Sequence, residues 1–359
     1  MVLEDKSYVP TLAVRPSEMN GLEFSLGAAK DRMTPCFLLA PWANSSTLER
    51  TITRIERAFP NRSYFLDIDW YYHPTNSESG PQQELRQLKD PKNCFENWTS
   101  FVKSHKNVSP CIQTQGQTEA EILHQIKTFQ QLNRTYCLRI LKDRPPENTP
   151  EIVSALASRG TADFVIILEG GWTNDTLSQA AWFQGFISEN LQPIDASVPI
   201  VLSCTSMPKM FSSISSAELS SVPFNNRILI DQVSKSTNRA RIIYGDWGST
   251  RPREPSGFAN RPLDRIDYPT ERSWIIARNK EDEWDFRDAA LAVVNGDDWD
   301  GKLGIWGEEM IQQTTINEEL GIDTPQKNVS ARVNIHLHRQ AFFGQPTIDP
   351  ISFDEDWED

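Results

Sequence analysis

What this chain lacks narrows its nature first. None of its apolar runs approaches the length a membrane-spanning helix needs. No Gly-rich dinucleotide fingerprint follows a strand-like run, and Walker A, GxSxG and HExxH patterns are absent, so P-loop, serine-hydrolase and zincin chemistries are unsupported. Cys36, Cys94, Cys111, Cys137 and Cys204 are an odd set without CxxC spacing. They read as small buried hydrophobes in a reducing compartment, not as a zinc site or a disulfide framework. Histidine is scarce. His73, His105 and His124 fall on turns or helices, and His336 and His338 of VNIHLHRQ read as a satisfied surface or interface pair on a strand, with no third zinc ligand at matching spacing. Basic residues are outnumbered, 36 against 49, and the resulting charge of −13 excludes a general nucleic-acid coat while leaving room for a small basic pocket. The N-terminus MVLEDKSYVPTLAV has early acids and no apolar signal core, so a cytoplasmic location is expected.

What is present is a rhythm of apolar run, polar turn and amphipathic stretch. YVPTLAV (8–14), TPCFLLA (34–40), SYFLDIDW (63–70), SPCIQTQ (109–115), TYCLRIL (135–141), ADFVIILE (162–169), VPIVLSC (198–204) and ARIIYGDW (240–247) are strand-like. Helical stretches such as TLERTITRIERAF and TEAEILHQIKTFQQL fall between them. Eight such units match a (β/α)8 barrel over residues 1–265, with a doubly wound open sheet as the competitor. Beyond residue 265 the rhythm breaks, and residues 266–345 read as a small α+β extension packed on the barrel. The tail 346–359 holds many acids and no base. It reads as a frayed end, or as a docking peptide for a protein partner anchored by Phe353 and Trp357.

In a barrel, alternation sorts inward from outward residues. Leu66 and Ile68 face the helices, which sends Asp67 and Asp69 inward, and the same argument turns Arg139 inward. Gln113 and Gln115 share one face, as do Ser203 and Thr205. Glu169 ends the sixth run before two glycines, and Asp246 ends the eighth before Gly248. These charges are expected at the C-terminal mouth, where barrel enzymes keep their catalytic groups. Three chemistries fit. Asp67, Asp69 and Glu169 would hold a divalent metal, Mg or Mn, for phosphoryl or phosphodiester hydrolysis. A carboxylate pair would hydrolyse a glycoside beside Trp42, Trp70, Trp172 and Trp247. Otherwise Arg139 neutralises Asp67 or Asp246 in an inert polar plug.

Several stretches resemble the beta family proteins of phages, prophages and bacterial genomes. They are YVPTLAVRPSEMNGL, MTPCFLLAP, YCLRIL, SCTSMPK, IIYGDWGS, IDYPTERSWIIAR, GIWGEEMI and NIHLHRQ. On this resemblance Arg15 and Glu18 occupy basic and acidic family positions, and Arg139, Ser206, Pro208, Tyr244, Gly245 and Asp246 match. Ala13 stands where a lysine is common, and the second run lacks its usual acid. The resemblance implies one co-folded unit in a setting of phage–host conflict or anti-phage defence. The combined expectation is a binder or hydrolase of a phosphate-containing, nucleotide-like ligand. Asp67, Asp69, Glu169 and Asp246 would be catalytic, and Arg15, Glu18, Arg139, Tyr244 and Trp247 would contact substrate. A non-catalytic protein-interaction module, working through the extension or tail, is the alternative.

Overall fold

Each apolar run is rich in β-branched and aromatic residues, and each becomes a strand. They are β1 (Tyr8–Ala13), β2 (Cys36–Leu39), β3 (Tyr64–Ile68), β4 (Val108–Pro110), β5 (Tyr136–Leu141), β6 (Phe164–Trp172) and β7 (Ile200–Thr205). After β8 (Leu219–Pro223), which pairs elsewhere, β9 (Ile242–Asp246) completes the set. The computed structural model describes residues 3, 5–73, 80–158, 163–211, 214, 218–254 and 263–345. The tail, with Phe353 and Trp357, lies outside the described residues.

Among the described residues the eight strands are all parallel, in the order β4-β3-β2-β1-β9-β7-β6-β5. The two ends of this ladder meet through a parallel bridge between Cys111 and Cys137, with Ile112 N–H donating to the Cys137 carbonyl at 2.8 Å. Helices such as Glu49–Ala58, Glu119–Gln131 and Thr176–Asn190 fall between successive strands. The architecture is that of a (β/α)8 barrel.

Period-two alternation stacks the barrel interior in layers. Val9, Cys36, Leu38, Phe65, Cys111, Cys137, Ile167, Val201 and Ile243 belong to one buried apolar cluster. Two residues further along the same strand faces come Thr11, Asp67, Gln113, Arg139, Glu169 and Ser203, a buried polar layer nearer the C-terminal mouth. Gly245 takes its place in this layer without a side chain. A Cβ there would lie 2.9 Å from the Val9 carbonyl oxygen and 3.0 Å from Val201 Cγ1. Its role is therefore close approach, whereas Gly248, at φ +54°, makes the turn.

The described residues of 1–15, 30–207 and 224–256 form one compact unit, and those of 16–29, 208–223 and 257–345 a second. The units interleave in the chain, where the sequence reading draws one line at residue 265. In the second unit β10 (Ile266–Pro269) and β11 (Ser273–Ala277) form an antiparallel sheet in the order β10-β11-β8. Its core gathers Ile266, Tyr268, Ile275, Phe286, Val293, Ile311 and Ile335.

One expectation is corrected here. His336 and His338 lie on the helix Pro325–Ala341, not on a strand. Residues two apart on a helix point to different sides, so the two do not share one face, and His336 is buried, not on the surface. The apolar alternation Val333, Ile335, Leu337 suggested a strand, but residues 330–337 of this helix are all buried. A helix buried on every side shows no amphipathic stripe to reveal it.

Candidate functional site

The polar layer is organised around Arg139. Its Nη1 donates to Asp67 Oδ2 at 3.1 Å and its Nη2 to Glu169 Oε2 at 3.4 Å, so the guanidinium lies between the two carboxylates. Every remaining carboxylate oxygen here also accepts an internal donor. Asp67 Oδ1 takes the Ile68 N–H at 2.8 Å and Gln113 Nε2 at 2.9 Å. Glu169 Oε1 takes Trp247 Nε1 at 2.8 Å and the Gly171 N–H at 2.9 Å, while Ser203 Oγ reaches Oε2 at 3.0 Å. Burial pushes the Glu169 carboxyl above the usual glutamate range, and Arg139 and these donors oppose that push. Burial disfavours the charged Arg139 guanidinium, but Glu169 and Asp67 outweigh it and hold the group protonated.

The other candidate residues separate. Asp246 shares the outward face of β9 with Tyr244, opposite to Ile243 and Trp247. It accepts Tyr8 Oη at 2.6 Å, Tyr244 Oη at 2.9 Å and the Gly248 N–H at 2.8 Å, and the Arg227 guanidinium sits 3.6 Å from the Tyr244 ring centre. Tyr244 is thus part of a buried cluster behind the strand. Trp247, expected to contact substrate, is fully buried in the barrel core. Glu18 belongs to the helix Pro16–Glu23 of the second unit and is buried there.

Asp69 stands at the end of β3, fully buried, and pairs with Arg253 Nε at 2.6 Å. The segment after β9 therefore crosses the mouth from β9 to β3, with the Arg253 guanidinium 5.4 Å from the Tyr72 ring centre. Arg15 donates to Thr250 Oγ1 at 3.3 Å and to the Arg251 carbonyl at 3.1 Å, bracing the same segment.

These contacts bear on the expected chemistries. A divalent cation needs oxygen lone pairs, and those of Asp67 and Glu169 are directed at internal donors. Among the described residues no group of three or more His, Cys, Asp or Glu side chains is placed to hold a metal. The donor set does not fit Mg or Mn. A glycoside needs its anomeric centre between two carboxylates, and the Arg139 guanidinium fills that space.

Trp70 and Gln115, with residues outside the expected set, make a more open feature at the mouth. A cleft of about 540 Å³ is lined by Trp70, Thr114–Gln117 and Arg144–Asn148, from the loops after β3, β4 and β5. Trp70 Nε1 donates to Gln113 Oε1 at 3.2 Å, which ties the cleft wall to the polar layer. Arg144 Nη1 donates to the Trp70 carbonyl at 3.2 Å, and its guanidinium is 5.1 Å from the Tyr71 ring centre. Lys89 Nζ donates to the Asp69 carbonyl at 3.1 Å and lies 5.2 Å from the Trp70 ring centre. Burial lowers the Lys89 pKa, Asp69 raises it, and neighbouring Arg144 lowers it again. Trp70 was legible as a residue following a strand, but no spacing links it to Lys89 or Arg144.

The "Beta protein" family model matches residues 8–342. "Protein beta" of Enterobacteria phage P4 is 23% identical over 366 residues, covering 99% of this chain and 98% of that protein. The match runs through all eight barrel strands and the second unit. The chain belongs to the beta protein family.

Proposed function

We propose that the barrel unit binds a phosphate-containing, nucleotide-like anion in the cleft beside Trp70. The observation that carries this reading is a pair of cations at one tryptophan: Arg144, which lines the cleft with Trp70 and Glu147 and donates to the Trp70 carbonyl, and Lys89, 5.2 Å from the Trp70 ring centre. In a chain of charge −13, two mutually repelling cations are kept together beside a partly buried tryptophan. An anion between them relieves the repulsion. Arg144 supplies directional charge-assisted hydrogen bonds and Lys89 a point charge. The Trp70 face offers a stacking surface to a planar base, and Gln117 and Asn148 supply polar lining.

The reading is of binding without turnover. Asp67 and Glu169 stay neutralised by Arg139 and hold the scaffold of the mouth through Gln113 and Trp70. The relative from phage P4 supports a phage setting for this binding, and a part in phage–host conflict belongs to the proposal. A second reading, protein interaction through the C-terminal unit, is favoured by Ile316 and Leu320, which are 75% and 62% exposed.

A thermal-shift series tests the proposal, using inorganic phosphate, pyrophosphate and nucleoside mono- and triphosphates at low ionic strength. The melting temperature is expected to rise with at least one of them, since a ligand at 100 times its Kd stabilises by about 2.7 kcal/mol. The paired change Lys89→Ala, Arg144→Ala should abolish the rise. No rise with any of these anions overturns the reading.

A further inference from the structure

We propose that Cys111 and Cys137 form a reversible disulfide that locks the β4–β5 seam of the barrel. The two sulfurs lie 2.9 Å apart, both fully buried. The residues are direct partners in a parallel bridge. Neighbouring strands run roughly 4.8 Å apart, inside the Cα separation of about 4.4–6.8 Å that a disulfide spans. The strand spacing is therefore compatible with a bond between them, and the sulfurs have to close from 2.9 Å to about 2.0 Å.

The location gives the bond a consequence. Elsewhere in the ring adjacent strands share three or more consecutive register pairs, as β3 and β4 do. The β4–β5 seam is joined by the isolated Cys111–Cys137 bridge. Covalent closure at this point fixes the least-paired junction of the barrel. Cys111 is two residues before Gln113 and Cys137 two before Arg139, on the same inward faces. The lock thus sits one layer beneath the Asp67–Gln113–Arg139 contacts. Cys36 is the third buried thiol of the same cluster and is the competing partner.

The oxidant is a small peroxide. A Cys111 or Cys137 sulfur attacks one peroxide oxygen, the O–O bond breaks, and water leaves with formation of a sulfenic acid. The second thiol attacks that sulfur and expels its hydroxyl, which departs with the thiol proton as a second water. The two thiols lose two electrons and the peroxide gains them. A reducing thiol reverses the bond by exchange. Burial raises both thiol pKa values, so formation is slow and follows local opening of the seam.

The test uses the full chain carrying Cys94→Ser, which removes the partly exposed cysteine and leaves four of the five thiols. The protein is incubated natively with hydrogen peroxide. Thiols are then titrated after denaturation, and non-reduced peptides are mapped by mass spectrometry. The expected result is loss of two thiols, a Cys111–Cys137 linked peptide, and a melting temperature raised by about 5 °C and restored by dithiothreitol. Adding Cys137→Ser should remove all three. Four surviving thiols, a Cys36–Cys111 link, or a linked protein that melts lower than the reduced one overturns the inference. The peptide map decides the matter on the Cys94→Ser protein alone, even if the Cys137→Ser chain does not fold.

Discussion

Replacing Arg139 with methionine tests the organisation of the barrel interior. The substitution keeps an unbranched stem of comparable length and removes the guanidinium from between Asp67 and Glu169. Two carboxylates then face one another inside the barrel without their cation. Removing one partner of a buried ion pair costs about 3–5 kcal/mol. The cost must depend on pH, and its sign follows from Glu169. Burial already raises this carboxyl above its ordinary value of 4.5, and Arg139 is the largest influence opposing that rise. An acid raised in the folded state contributes fully below its unfolded pKa and loses that contribution as pH climbs through the folded value. Without Arg139 the folded value climbs further, so the variant's deficit should be greatest near pH 8 and shrink toward pH 5. Urea denaturation of the full chain, followed by circular dichroism at both pH values, measures this. The triple change Arg139→Met, Asp67→Asn, Glu169→Gln should recover much of the loss, because it leaves no unpaired charge. A single variant as stable as the parent, or a deficit equal at the two pH values, would refute the reasoning.

Three further outcomes follow from individual contacts. Trp247→Phe deletes the 2.8 Å hydrogen bond to Glu169 and should cost about 1.5–3 kcal/mol in denaturation experiments, the range for a bond to a charged group. Gly245→Ala places a Cβ 2.9 Å from the Val9 carbonyl and should destabilise by about 1–3 kcal/mol through overpacking, read as a lower urea midpoint. In the second unit, burial alone would raise the Asp267 pKa, but Arg265 and Arg332 outweigh it and hold the carboxyl below the usual aspartate range. A depressed acid contributes above its unfolded pKa and loses that contribution as pH falls through the folded value. Asp267→Asn should therefore cost about 3–5 kcal/mol at neutral pH, and the deficit should narrow in acid melts below the ordinary aspartate value of 3.8.

The barrel was legible because its strands carry their signal locally. YCLRIL and SYFLDIDW are short β-rich runs bounded by turns, and alternation alone turned Asp67 and Arg139 inward. The same rule, applied strictly to IIYGDW, turns Asp246 away from Ile243 and Trp247, so placing it with the interior acids went against the period of the strand. Of the arginines that follow it, Arg253 neutralises Asp69, and the carbonyl of Arg251 is braced by Arg15. Glu18 and β8 joined the second unit through pairings distant in sequence, which no local pattern encodes. The cleft was hidden for the same reason. Lys89 follows the helix Gly80–Leu88, Trp70 follows β3 and Arg144 follows β5, so only the closed sheet brings them together.

Isothermal titration of the full chain with pyrophosphate and with ATP, in parallel with the Arg144→Ala variant, tests anion binding at the mouth most directly. Saturable binding should appear at low salt, weaken as ionic strength rises, and fall about 10- to 100-fold in the variant, the equivalent of one charge-assisted contact. No heat of binding for either anion, or affinities that Arg144→Ala leaves unchanged, would contradict the account.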